Sequence, residues 1–194
     1  MKICVFGDSI AYGAYDPVNG GWVTLLRNYL EEKYEGEVLT YNLGVCGETS
    51  EDLVKRFKNE AVIRKPDLIV FAIGANDVKH QKNIEVPFKL FEKNINFLVT
   101  QAKEITDKIV FLGVTPVDEK FTTPRDKPPY NFRENKDIDR LNKILKEICL
   151  EEKLVFVLVE GMLVDDLDDG LHPNTNGHKK IFGIVRPVVD NLVS

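Results

Sequence analysis

Hydrophobic residues in this chain follow two alternating rhythms. Short continuous apolar runs over about residues 2–6, 37–43, 67–73, 108–114 and 154–158 predict β-strands. The third, Asp-Leu-Ile-Val-Phe-Ala-Ile, is almost unbroken, as a strand covered on both faces should be. Between the runs, apolar residues recur at helical spacing. Trp22, Leu25, Leu26, Tyr29 and Leu30 form one stripe over about 21–34. Leu53, Phe57 and Ala61 form a second, with Thr49 as N-cap, Asp52 near the start and Pro66 beyond the end. Phe88, Phe91, Ile95, Leu98, Ala102 and Ile105 form a third over about 86–105. A helix is predicted over about 134–152, and a last one from Asn174, which Pro187 is expected to kink or interrupt.

Strands that alternate with helices imply a parallel sheet with helices on both faces. The predicted class is therefore α/β: a flavodoxin-like three-layer α/β/α sandwich around a five-stranded parallel sheet of order 2-1-3-4-5. No repeat, low-complexity tract or linker divides the chain, so residues 1–194 are expected to form a single domain. Residues 115–133 break the rhythm. Four prolines, Pro116, Pro124, Pro128 and Pro129, stand there among charges and aromatics, and a segment of that kind is either a solvated excursion or a functional wall. Phe121, Tyr130 and Phe132 either line an apolar acyl site or pin the loop to the core. Trp22, near a helix start, belongs either to the core or to the rim of a crevice.

Composition narrows the partners. A net charge of −5 argues against nucleic acid and anionic membrane surfaces. No apolar run is long enough for stable membrane insertion, and the run after Met1-Lys2 is too short for a signal-peptide core. A cytoplasmic location is expected, unless a leader has been trimmed. Cys4, Cys46 and Cys149 are an odd set with no CxxC pair, which suits a reducing compartment and argues against a zinc site. Oligomeric state is not legible.

The chemistry clusters after the strands. Gly7-Asp8-Ser9-Ile10 follows the first, Gly44-Val45-Cys46-Gly47 the second, Gly74-Ala75-Asn76-Asp77 the third and Asp169-Gly170-Leu171-His172 the fifth. In a doubly wound sheet these turns share one edge, where ligands bind. Ser9 surfaces from a buried strand and reads as a nucleophile. Asp169 stands three residues before His172, so the carboxylate can take one imidazole N–H and leave the other nitrogen for Ser9. Gly47 lies just ahead of a helix N-terminus, and Asn76 carries a side-chain amide. Together with the Ser9 N–H they offer three donors for an oxyanion. Each feature also has a plain reading as a turn or cap residue. His80 sits among Lys79, Gln81 and Lys82 and reads as surface, and His178 falls within the last helix. An α/β-hydrolase elbow, G-x-S-x-G, is absent.

These four blocks resemble the SGNH (GDSL) hydrolases, in the family's order and along essentially the whole chain. Ile10 stands where the family name has Leu. The resemblance implies the flavodoxin-like fold, with Ser9 as nucleophile, His172 as base and Asp169 as its orienter. It implies an oxyanion hole of Ser9, Gly47 and Asn76, and hydrolysis of a small-molecule carboxylic ester, lipid, acetyl-sugar or thioester, through an acyl-enzyme with no metal or cofactor. Two alternatives stand beside it. One is a metal-dependent phosphohydrolase using Asp8, Asp77 and His172. The other is a non-catalytic ligand-binding domain on the same scaffold.

Overall fold

A computed structural model of the chain describes residues 1–79, 87–122 and 132–194. Five parallel strands, β1 (Lys2–Gly7), β2 (Leu39–Gly44), β3 (Leu68–Ala72), β4 (Ile109–Leu112) and β5 (Val155–Val157), form one sheet of order β2-β1-β3-β4-β5. The order and direction match the expectation from the alternating pattern. Six α-helices accompany the strands: α1 (Ser9–Tyr12), α2 (Gly21–Lys33), α3 (Ser50–Arg64), α4 (Phe88–Lys103), α5 (Asn135–Glu151) and α6 (Thr175–Val193). Helix α2 packs on α6, α3 on α4 and α4 on α5.

One register row places a run of aromatic side chains beneath the C-terminal edge of the sheet. Phe6, Phe71, Phe111 and Phe156 are partners in neighbouring strands β1, β3, β4 and β5. Phe71 and Phe111 stack with centroids 4.8 Å apart, and Phe57 of α3 closes on Phe6 edge-on at 4.9 Å. Offset and edge contacts of this kind add about 0.5–1.5 kcal/mol each beyond the area they bury. The next register step, Gly7 against Gly44 and Ala72, has no bulky side chains. The chain turns there, directly above an aromatic floor. Trp22 is fully buried, so it belongs to the core and not to a crevice rim.

Helix α3 starts as its sequence requires. The Thr49 hydroxyl accepts from Asp52 N while the Asp52 carboxylate accepts from Thr49 N, a reciprocal capping box. Helix α1 was not anticipated. It spans a single turn, too short to show a hydrophobic period.

Pro187 does not interrupt α6, which continues past it to Val193. Proline in a helix removes one N–H and crowds the carbonyl four residues back. That residue is Gly183, whose α-carbon faces open space, and both Gly183 and Pro187 are exposed. The crowding is relieved there, and water reaches the carbonyl that lost its donor.

His80, Tyr130, Pro124, Pro128 and Pro129 lie outside the described residues.

Candidate active site

Strand β1 delivers Ser9 to the sheet edge, and a cap fixes it there. Asp8 is the N-cap of α1, its carboxylate accepting from Ile10 N at 2.9 Å. Ser9 is thus the first helical residue, 8% exposed. Its Oγ lies 2.9 Å from Nε2 of His172, which is 163 positions away in sequence. Nδ1 of His172 lies 2.8 Å from Asp169 Oδ2. Oδ1 of Asp169 accepts the backbone N–H groups of Leu171 at 3.0 Å and His172 at 2.8 Å. The turn itself is closed by Asp168 N donating to His172 O and by a bridge between Leu167 and Pro173.

The protonation pattern follows from these contacts. Burial opposes ionisation of Asp169, but the His172 backbone N–H, the imidazole and the Leu171 N–H outweigh it and hold the carboxyl below the usual range. An ionised carboxylate only accepts, so Nδ1 carries the imidazole proton. The Nε2 lone pair then faces the Ser9 hydroxyl, which donates to it.

Gly44 and Gly47 have different tasks. A Cβ on Gly44 would run into Tyr12 N and Asp8 O, so this position is a packing glycine beneath α1. Gly47 has φ +79° and open space where a Cβ would stand. Its requirement is conformational: a left-handed turn exposed just ahead of the α3 N-terminus. Asn76 is held next to this turn. Its Nδ2 donates to Glu48 O at 3.0 Å, and its Oδ1 accepts from Arg133 Nη2 at 2.8 Å. One N–H of the amide is therefore used on the turn, and the amide orientation is set by the guanidinium.

Asp8 and Asp77, the carboxylates of the metal-dependent alternative, face other groups. Asp77 accepts from the backbone and the hydroxyl of Ser50 at the start of α3, and Asn94 in turn donates to Ser50 Oγ at 2.9 Å. Both ring nitrogens of His172 are already engaged. Among the described residues no three His, Cys, Asp or Glu side chains converge to hold a metal ion.

Sequence reasoning missed three contributors. Arg133, 1% exposed, sits at the end of a segment that reads either as a solvated excursion or as a functional wall, and nothing in its spacing marks it. Its guanidinium also donates to Ala75 O. Tyr15 stacks on the His172 ring with centroids 4.7 Å apart and planes inclined by 20°. His178 is fully buried, accepting from Trp22 N at Nδ1 and donating from Nε2 to Ala14 O at 3.1 Å. Only its place on the inner face of α6, one turn after Asn174, carried a signal. The base of the irregular segment touches both halves of the site, because Asp118 N donates to Gly170 O at 2.8 Å.

Two buried carboxyls give the protein a pH signature. Burial pushes Asp8 up to about 7, against the Ile10 N–H and Arg133, and pushes Asp77 up to about 6, against the Ser50 contacts. Both lie above the ordinary value of 3.8, so the fold binds these protons more tightly than the unfolded chain does. Their stabilising contribution is complete below that value and is lost as the pH rises towards 6 and 7. The depressed carboxylates Asp16, Asp52, Asp166, Asp169 and Asp190 act only at lower pH, where stability falls as they are protonated. Asparagine retains the N-cap at position 8. Asp8→Asn is therefore expected to gain stability relative to the parent as pH rises from about 4 to 7, by on the order of 1 kcal/mol per pH unit, read by urea melts across that range.

The comparisons with known proteins agree with this geometry. Residues 5–180 match the family described as GDSL-like lipase/acylhydrolase. The chain belongs to that family. As a GDSL-like acylhydrolase it is a hydrolase acting on ester bonds. It is 24% identical over 202 residues to an acetylxylan esterase of Geobacillus stearothermophilus, covering 91% of this chain and 88% of that one. It is 25% identical over 202 residues to esterase TesA of Pseudomonas aeruginosa, covering 100% and 90%. The crystal structure of the Geobacillus enzyme superimposes with a TM-score of 0.76 at 22% identity, covering 95% of this GDSL chain and 91% of the other. An α/β hydrolase from the Lake Arreo metagenome gives 0.74 at 23%, covering 95% and 92%. A further relative, 24% identical over 60% of this chain and 49% of its own, is a Bacillus subtilis lipoprotein, YqeF. Among the described residues of this GDSL protein no helix is long and apolar enough to cross a membrane.

Proposed function

We propose that this protein is a serine carboxylesterase in which Ser9 is the nucleophile, His172 the general base and Asp169 the group that orients it. The observation that carries this reading is the unbroken hydrogen-bonded path from Ser9 Oγ through the imidazole to Asp169, over distances of 2.9 and 2.8 Å. Ser9 Oγ attacks the ester carbonyl carbon as His172 Nε2 takes its proton. The backbone N–H of Ser9, the N–H of Gly47 and the free N–H of the Asn76 amide receive the oxyanion. The tetrahedral intermediate collapses, the C–O bond to the alcohol breaks, and His172 returns the proton to the leaving oxygen. Water then attacks the acyl carbon as His172 takes its proton, the bond from that carbon to Ser9 Oγ breaks, and His172 returns the proton to Oγ, releasing the carboxylic acid and free Ser9. Ser9 follows β1 and the Asp169–His172 turn follows β5, so on this reading residues 1–194 act as one unit. Catalytic mutants of the Geobacillus enzyme replace a serine, an aspartate and a histidine, the same three residue types.

A serine-directed fluorophosphonate tests the reading. One equivalent is expected to abolish hydrolysis of p-nitrophenyl acetate and to add its mass to the peptide carrying Ser9, with EDTA leaving the rate unchanged. Activity that survives stoichiometric labelling, or that EDTA removes, rejects it. The relatives named as acetylxylan esterase and arylesterase make acetylated sugars and aryl acetates the first substrates to profile, against esters of increasing acyl length.

A further inference from the structure

The backbone of Tyr15 is both strained and anchored on either side. Its φ is +65°, a left-handed conformation that an aromatic residue rarely adopts. Such outliers persist where the surroundings over-determine them, and they gather at functional sites. Here the determinants lie on both sides. The preceding carbonyl, Ala14 O, accepts from the buried His178 Nε2, and Ala14 N donates to Ser9 O at 3.0 Å. The following side chain, buried Asp16, accepts from Thr175 Oγ1 at 2.8 Å, Asn19 N at 3.1 Å and Gly21 N at 3.2 Å. His178 and Thr175 both belong to α6, the helix that follows the His172 turn. The same helix therefore fixes the Tyr15 loop and the turn bearing the imidazole.

The product of this arrangement is the ring stack on His172, at 4.7 Å and 20°. Core packing does not require it, since Tyr15 is 49% exposed. We infer that Tyr15 is a positioning residue: its ring covers one face of the His172 imidazole, holds the ring plane in line with Ser9 and Asp169, and presents its π-face to the imidazolium that forms during the reaction. The inference rests on His172 being the base. A flat aromatic neighbour resists rotation about the Cβ–Cγ bond of the imidazole, a rotation that would break both polar contacts together. An aromatic face also attracts the protonated ring more than the neutral one, so its effect falls on the transition state.

The ring, and not the hydroxyl, is required. Tyr15→Phe is expected to keep kcat within about 2-fold of the parent. Tyr15→Leu keeps bulk without a π-face and is expected to lose about 3- to 30-fold in kcat, with KM little changed. Tyr15→Gly suits the left-handed backbone and is expected to lose kcat equally while its Tm is not lowered, which separates a role in catalysis from a role in folding. The measurements are kcat and KM for p-nitrophenyl acetate and thermal melts of the three variants. Leu or Gly variants with parental kcat, a Phe variant as slow as the Leu variant, or a loss confined to KM overturns the inference. If Asp169→Asn is inactive in the same assay while the Leu and Gly variants keep parental kcat, only the role of Tyr15 fails; if Ser9 does not take up the fluorophosphonate, the reading beneath it fails.

Discussion

Ser9→Ala is expected to lower kcat for ester hydrolysis by about 10⁶-fold, and Asp169→Asn by about 10³–10⁴-fold, with both proteins melting close to the parent. The serine variant loses the nucleophile and leaves a cavity too small to disturb the strand end. The asparagine variant is the more discriminating. Oδ1 of Asp169 already accepts two backbone N–H groups, from Leu171 and His172, so an amide at this position must place its oxygen there. Its NH₂ group then faces Nδ1 of His172. Nδ1 has to accept, the imidazole proton moves to Nε2, and Nε2 confronts the Ser9 hydroxyl as a donor that cannot take a proton. The geometry survives and the chemistry stops. Steady-state kinetics with p-nitrophenyl acetate and thermal melts check the pair, and an Asp169→Asn protein with more than a tenth of parental kcat would show that the carboxylate does not set the tautomer.

This dependence on one turn shows how unevenly the molecule can be read from its residues. The sheet was legible because its central strands are buried and read as nearly continuous apolar runs, as 67–73 does, while the helices reveal themselves by stripes such as Phe91, Ile95, Leu98 and Ala102. The turns that carry Ser9, Gly47, Asn76, Asp169 and His172 were legible as candidates because they follow strand ends that topology gathers on one edge, and hydrogen bonds join Ser9, His172 and Asp169 there. Arg133 and Tyr15 were not. A buried guanidinium looks like a surface one until its partners, Asn76 and Ala75, are placed beside it in space. A left-handed tyrosine has no signature, since its strain comes from α6 groups about 160 residues away. The described ends of the proline-rich segment are tied down by contacts its composition does not show: Asn135, whose amide donates to Val117 O and accepts from Val117 N, and Thr122 Oγ1 donating to Arg133 O.

Arg133→Met is expected to lower both stability and kcat, and the two losses have separate causes. The guanidinium is buried and its ordinary value is pulled down to about 10 by that burial, against the attraction of Asp8 and Asp169. Methionine fills much of the volume but donates nothing, leaving Asn76 Oδ1 and Ala75 O without these donors and Asp8 without the nearby cation. Breaking a buried charged contact of this kind destabilises by about 3–5 kcal/mol, which for a chain of this length is a fall in Tm of about 6–20 °C. The catalytic loss runs through Asn76. With Oδ1 released, the amide is tethered only by its bond to Glu48 O and can turn its remaining N–H away from the oxyanion. Complete loss of one such donor raises the barrier by about 2.7–4 kcal/mol, and partial misorientation is expected to lower kcat about 10- to 100-fold. Arg133→Lys separates the two effects. A lysine restores the charge beside Asp8 but cannot reach Ala75 O and Asn76 Oδ1 with two fixed donors, so Tm should recover further than kcat. Melts and kcat for the Met and Lys variants decide it: a Met variant that hydrolyses p-nitrophenyl acetate at the parental rate would mean that Asn76 keeps its orientation without the guanidinium.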